Sequence, residues 1–202
     1  MLITLPGEMT EMDPEPSVDG KPLSAFYIPD RMIIFIDARN LIKANECHNA
    51  LMKDNFSFNY RMMMQYFQRK YKVIRGYFYD GAPHKSEQTK ERIRFYNELR
   101  RLGITLRLKE IDFKSPSPSQ KGVDIYLTAD MISLAYEDAY DIAVIFSGDG
   151  DYVALIDLVK SKGKKVWVAS FKEVLSYKLR DCADKILMLN NMKRAFDKNS
   201  QA

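Results

Sequence analysis

The chain has 202 residues, 46% of them hydrophobic and 29% charged, which suits a single domain of ordinary size with a real core. No run approaches the ~18 apolar residues of a membrane span, and the first residues lack the basic and long apolar regions of a secretory signal. The expectation is therefore a cytoplasmic protein with no membrane partner. The formal charge of +4 is unevenly spread: residues 1–30 hold six acids against Lys21, whereas residues 60–109 hold 13 Lys/Arg against 4 Asp/Glu.

In chain order, residues 1–30 carry five prolines and few apolar side chains, too little for a core. They read as a mobile acidic tail, with Phe26-Tyr27-Ile28 tucked onto the domain. Met32 to Ile36 is a continuous apolar run ending at Asp37, as in a central strand covered on both faces. Leu41 to Ala44 begins a helix, and the Asn-rich stretch 45–58 reads as a loop or broken helix. Tyr60 to Arg69 has helical spacing, with Met62, Met63, Tyr66 and Phe67 as core candidates. Lys72 to Tyr79 reads as a strand, closed by Asp80-Gly81-Ala82-Pro83. Ser86 to Leu102 reads as a long basic helix with capping chemistry at Ser86 and Thr89 and a stop at Gly103. A strand at Ile104 to Leu108 leads into a serine-proline loop over 112–122. Val123 to Tyr136 reads as a helix, Ile142 to Phe146 as a buried strand, 152–162 as a helix, and Val166 to Ala169 as a strand. A helix near 174–182 and the apolar run Ile186 to Leu189 follow. Residues 191–202 are polar and are expected to fray.

Strands alternate with helices almost throughout. This pattern predicts a three-layer α/β/α sandwich over 31–190 with a mainly parallel central sheet. In such a sheet every strand ends at the same edge. Asp37 ends the first strand, and Ser147-Gly148-Asp149-Gly150-Asp151 follows the 142–146 strand. These two strands are the most continuously apolar in the chain, which places them side by side at the sheet centre. The two glycines are expected to let the backbone turn sharply there. Each aspartate on its own has an innocent role as a helix cap.

Cys47 and Cys182 lack metal-site spacing, and His48 and His84 are the only histidines. Acid–base or metal chemistry must then rest on carboxylates. Asp124, in the first turn of its helix, adds a third one, and Thr128, four residues on, shares its face. Asp130 lies about 240° round the helix from Asp124 at ~100° per residue and points elsewhere. An oxygen-only cluster suits Mg²⁺ or Mn²⁺, hard cations that activate water and clamp a phosphodiester. Asn40 and Ser147 are polar companions able to orient a carboxylate or meet a phosphate. Lys121, just before Asp124, is placed to neutralise a phosphate oxygen.

Asp37-Ala38-Arg39-Asn40 after a strand, Lys121-Gly122-Val123-Asp124 opening a helix, and Ser147 to Asp151 after a later strand together resemble the NYN domain of the PIN-like nuclease superfamily. With Leu175-Ser176 and Ala183-Asp184, the pattern is similar to the bacterial LabA-like branch, over roughly 31–190. The resemblance implies a Rossmann-like PIN fold. It also implies a Mg²⁺- or Mn²⁺-dependent ribonuclease site in which Asp37, Asp124, Asp149 and Asp151 form the acidic quartet. Asn40, Ser147 and Asp130 match further positions of the family pattern. The expected partner is RNA, guided by the basic block through Arg39, Arg92, Arg94, Arg100, Arg101 and Lys121. A homodimer is compatible with this reading. The rival readings are a catalytically silent RNA-binding or regulatory module, an acidic tail that covers the basic face, and a small-nucleotide phosphohydrolase. Against the last, Asp37-Ala38-Arg39 is no Asp-x-Asp pattern, and no phosphate-binding glycine loop is present in the sequence.

Overall fold

The computed structural model describes residues 17–18, 21–22, 29–111 and 122–201. Six strands form one parallel sheet: β1 (Arg31–Asp37), β2 (Lys72–Ala82), β3 (Ile104–Glu110), β4 (Ile142–Phe146), β5 (Lys165–Ser170) and β6 (Lys185–Met188), in the order β3-β2-β1-β4-β5-β6. Every neighbouring pair in it is parallel. A separate two-residue pairing joins Ser17–Val18 to Lys21–Pro22. Among the described residues no helix is long and apolar enough to cross a membrane.

Helices cover both faces. α1 (Ala38–Met52), α2 (Tyr60–Gln68), α3 (Lys90–Arg101) and the short α7 (Lys193–Phe196) pack on one, through Leu41, Met63, Phe67, Leu99 and Phe196 against Ile34, Ile36, Phe78 and Phe146. α4 (Val123–Tyr136), α5 (Val153–Ser161) and α6 (Tyr177–Cys182) cover the other, through Leu127, Met131, Ile156 and Leu179 against Ile33, Phe35, Ile145 and Val168. This is the expected three-layer α/β/α sandwich. The alternation of strand side chains between layers is why β1 and β4 read as unbroken apolar runs: both of their faces are core.

The chain winds away from the centre in both directions, from β1 to β3 under one layer and from β4 to β6 under the other. The order reverses between β1 and β4, and at such a switch point a crevice opens beyond the carboxyl ends of the strands. The register from Met32↔Ile142 to Ile36↔Phe146 brings Asp37 and Ser147 out side by side at that crevice.

Three local expectations are corrected. The stretch 45–58 is not a broken helix: α1 runs on to Met52 and ends on Lys53 in the left-handed region, and only 53–59 is loop. Its asparagines are the reason it looked like a loop. Asn45 and Asn49 project from the helix and donate to Phe56 O at 3.1 and 2.9 Å, fastening the loop back onto it. The long basic helix starts at Lys90, not Ser86, because Thr89 is its cap, accepting from Arg92 N at 3.3 Å. Residues 85–87 form a separate 3₁₀ turn. Gly103 stops that helix as expected, at φ 79°.

The third correction concerns the C-terminal segment. The expected polar fraying end carries α7, and Phe196 is fully buried among Phe58, Tyr66, Phe67 and Phe146. Asp197 accepts from Ser57 N at 2.8 Å, and Asn59 N donates to Phe196 O at 2.8 Å. One aromatic in a polar stretch decides the matter, because burying a phenyl ring outweighs the entropy of ordering a few polar residues. Phe26-Tyr27-Ile28 and the serine-proline segment 112–121 lie outside the described residues. Replacing Phe196 with Ala is expected to cost about 3–5 kcal/mol, read as a fall in the urea midpoint; an unchanged midpoint would return 191–202 to the status of a tail.

Candidate active site at the centre of the sheet

Asp37 stands where β1 becomes α1. Its Oδ1 caps the helix, accepting from Asn40 N at 3.1 Å, and its Oδ2 accepts from the Tyr152 hydroxyl at 3.1 Å. Tyr152 is buried in the turn between β4 and α5. Burial pushes the Asp37 carboxyl above the usual aspartate range, and the charges of Asp149 and Asp124 add to the push, while the bonds from Asn40 N and Tyr152 pull it down. The same three carboxylates, behind burial, drive the Tyr152 phenol far upward. Asp37, Asp124 and Asp149 therefore share one field around Tyr152.

Asp149 is exposed and caps the 3₁₀ turn 150–152, accepting from Asp151 N at 3.1 Å. Its own N–H donates to the buried Ser147 Oγ at 3.2 Å. Ser147 thus orients Asp149 and does not reach solvent. Asp124 is exposed in the first turn of α4. It accepts from Gly122 N at 2.9 Å, a bond that depends on Gly122 standing at φ 94°. Asp151 is exposed one turn beyond Asp149, and it is not among the charges acting most strongly on Asp37 or Tyr152.

Asn40 has a different task from the expected one. Its Oδ1 accepts from Gly148 N at 2.8 Å, tying the exit of β4 to the first turn of α1. Gly148 and Gly150 also serve differently from the sharp turn anticipated, since neither has positive φ. They are glycines because another segment lies against them: a Cβ on Gly148 would stand 2.6 Å from Val174 O, and one on Gly150 2.7 Å from Ser176 Oγ. Ser176 N donates to Gly148 O at 3.0 Å. That segment is anchored in turn by Glu173, which faces His48 Nδ1 at 3.4 Å and accepts from Asn190 at 2.9 Å. The other nitrogen of the buried His48 faces Asp54 at 3.1 Å.

Asp130 is engaged in a set of bonds separate from those of Asp37, Asp124 and Asp149. It takes the Tyr79 hydroxyl at 2.9 Å and Arg107 Nε at 2.8 Å, binding α4 to β2 and β3. Thr128 is half-buried on α4. Of the basic residues, Arg92 and Arg100 share the face of α3 that carries Tyr96, whose phenol both charges draw downward against burial. Arg94 and Arg101 are exposed at other angles round that helix, and Arg39 is exposed beside Asp37. Lys121 lies outside the described residues. Tyr152 was missed by the sequence reading, where it counted only as the start of a helix. No motif marks it, because its role is a contact with Asp37, 115 residues away.

The donors are carboxylate oxygens without ion pairs to a described Lys or Arg, which is the chemistry a hard divalent cation takes. Burial first, and the neighbouring Asp149 and Asp124 charges behind it, hold Asp37 above its usual range, as at sites where carboxylates are gathered for function. Among the described residues, however, no three His, Cys, Asp or Glu side chains converge closely enough to hold an ion.

The model of the NYN domain family matches residues 31–190. The chain is 28% identical over 183 residues to the Low amplitude and bright protein LabA of Synechococcus elongatus, covering 87% of this chain and 92% of that one. A crystal structure of a protein of unknown function from Vibrio parahaemolyticus superposes with a TM-score of 0.65 at 22% identity, over 80% of this chain and 93% of the other. The last comparison shares the fold.

Two outcomes follow from the geometry. Asp37 has a folded-state pKa above its unfolded one, so its contribution to stability is present below about 3.9 and is lost as pH rises through the raised value. Asp37→Asn, which keeps a cap oxygen, should then melt above the parent at pH 7 in chelator, and the gap should close toward pH 3.5; an equal or larger gap in acid would contradict the charge cluster. Gly148→Ala should cost roughly 1–3 kcal/mol by forcing the backbone at Val174 aside, measured by chemical denaturation.

Proposed function

The chain belongs to the NYN domain family, on its LabA-like branch, and on that premise we propose that it is a metal-dependent ribonuclease acting endonucleolytically on RNA phosphodiesters. Its fold is of the PIN-like nuclease type. The observation that carries the proposal is the unneutralised set of Asp37, Asp124 and Asp149 at the switch point of the sheet, where an open α/β fold takes its ligand.

Asp37, Asp124 and Asp149 would hold Mg²⁺ or Mn²⁺, with Asp151 alongside. When bound, such a cation supplies Lewis acidity and a lowered water pKa beside the scissile phosphate. The chain's own groups do the rest. Asp37 is fixed from two sides by Asn40 N and Tyr152, so its carboxylate cannot swing out of the crevice. Asp149 and Asp124 each have one oxygen engaged locally and one without a described partner, and both are exposed. Ser147 and Asn40 hold the loop that presents Asp149. Arg92, Arg100 and Arg39 supply positive charge for the RNA backbone, in line with the excess of basic residues over 60–109.

The second reading, an RNA-binding module without turnover, is favoured by one observation: no three of the acidic side chains already stand within reach of a shared ion. One experiment separates the two readings. Parent and Asp149→Asn are incubated with a mixture of structured and single-stranded RNAs, with Mn²⁺ or with EDTA. The ribonuclease reading expects cleavage by the parent with Mn²⁺ only, and a loss of at least about 100-fold in Asp149→Asn, the scale of removing a key electrostatic group, with an unchanged melting temperature. RNA binding without Mn²⁺-dependent cleavage by the parent supports the silent module. Equal cleavage by parent and variant would sink the assignment of Asp149.

A further inference from the structure

Beyond the carboxylates at the ends of β1 and β4, the same edge of the sheet bounds a second feature at the ends of β2 and β3. A cavity of about 540 Å³ lies between the ends of β2 and β3 and the helix α3, a size usual for small-ligand sites. Its apolar lining includes Ala82, Ile93 and Leu108. Its polar lining comes from Lys85, Gln88, Asn97, Arg100 and Glu110. Tyr96 forms the inner wall and is held rigid, with its hydroxyl donating to Asp80 Oδ2 at 3.0 Å.

These polar groups have hydrogen-bonding capacity to spare. Gln88 gives an amide N–H to Pro83 O at 3.2 Å, and its carbonyl oxygen has no described partner. Asn97 accepts from Arg100 at 3.0 Å and keeps its amide N–H groups. Glu110 is exposed, and no described Lys or Arg pairs with its carboxylate. An apolar lining with amides, one carboxylate and two cations beside it matches a nucleobase with its phosphates: amides and carboxylates read base edges, and cations hold the backbone. The carboxylate selects among bases. Guanine presents two adjacent N–H donors on its Watson–Crick edge, one for each carboxylate oxygen. Adenine, cytosine and uracil all turn at least one acceptor to the same place, which a carboxylate repels.

Register sets the spacing. Asp37 pairs with Tyr79, and Ala82, three residues on, pairs with Glu110. At ~3.3 Å per residue and ~4.8 Å between strands, Ala82 and Glu110 lie roughly 10 Å beyond the level of Asp37 and one to two strands across, with the cavity on the α3 side of the sheet edge and Asp37 turned to the α4–α5 side. A short stretch of RNA spans that separation. We infer that this cavity is a guanine-selective subsite, in which Glu110 reads the base edge while Lys85 and Arg100 hold the adjoining phosphates. Its place relative to the bond that is cut rests on the ribonuclease reading; the binding itself does not.

The test titrates the full chain in EDTA with GMP, AMP, CMP and UMP separately, by calorimetry or by NMR. The expected result is GMP binding about tenfold tighter than the others, the size of one good bidentate base contact. Glu110→Gln, an exposed and near-isosteric change, removes that preference at unchanged melting temperature, and Arg100→Ala weakens all four alike. Equal affinities in the parent, or an undiminished GMP preference in Glu110→Gln, overturns the inference. A GMP preference without Mn²⁺-dependent cleavage keeps the subsite and removes the nuclease, and cleavage without a GMP preference does the reverse.

Discussion

The pairing of β1 with β4 is the constraint on which the rest of this molecule depends. Five consecutive residue pairs, from Met32↔Ile142 to Ile36↔Phe146, lie with every side chain buried in one layer or the other. Because side chains alternate strictly between faces, a slip of one residue would exchange the two sets and empty both cores. The register is therefore enforced by burial along the whole strand. Its consequence at the edge is chemical: Asp37 leaves β1 on the α4–α5 side, toward Tyr152, and Asp149 follows Ser147 off the neighbouring strand. Since α1 departs under one layer and α5 under the other, the two strand ends diverge there, and Asp37 and Asp149 stand at the point of divergence.

Around this edge the fold supports an arrangement that costs stability. Burial of the Asp37 carboxyl raises its pKa, and repulsion from Asp149 and Asp124 adds a smaller push in the same direction. The surrounding contacts hold it in place nonetheless. Asn40 bonds Gly148 across the two strand ends, Tyr152 bonds Asp37, and the 171–176 segment presses its backbone on Gly148 and the Ser176 side chain on Gly150. That segment is itself tied to α1 and to the end of β6 by His48, Glu173 and Asn190. Local conflict supported by distant packing is what distinguishes functional sites from ordinary surface.

Much of this was legible in residue order. The apolar runs 32–36 and 142–146 showed which strands are covered on both faces, and the acids that follow them mark the edge where the strand order reverses. The helical offset of Asp130 from Asp124 set the two acids apart, and their hydrogen bonds run to different partners, Tyr79 and Arg107 for one and Gly122 for the other. What escaped did so for specific reasons. Asn45 and Asn49 looked like loop residues because a helix that clamps a following loop needs the same amides as a loop. Phe196 was lost in a polar stretch because a single ring carries no periodicity. Ser86 and Thr89 are both competent caps, and only the hydrogen bond from Arg92 N decides between them.

The sequence by itself determined the class of fold, the order of its elements and the identity of the acids at the sheet edge, since these follow from local patterns of apolar runs, breaks and caps that hold whatever the rest of the chain does. The tertiary structure alone decided which residues act together. Tyr152 on Asp37, Asn40 on Gly148 and Val174 against the same glycine are contacts across the reversal of strand order. No local pattern encodes them, because each depends on where two independently formed elements come to lie.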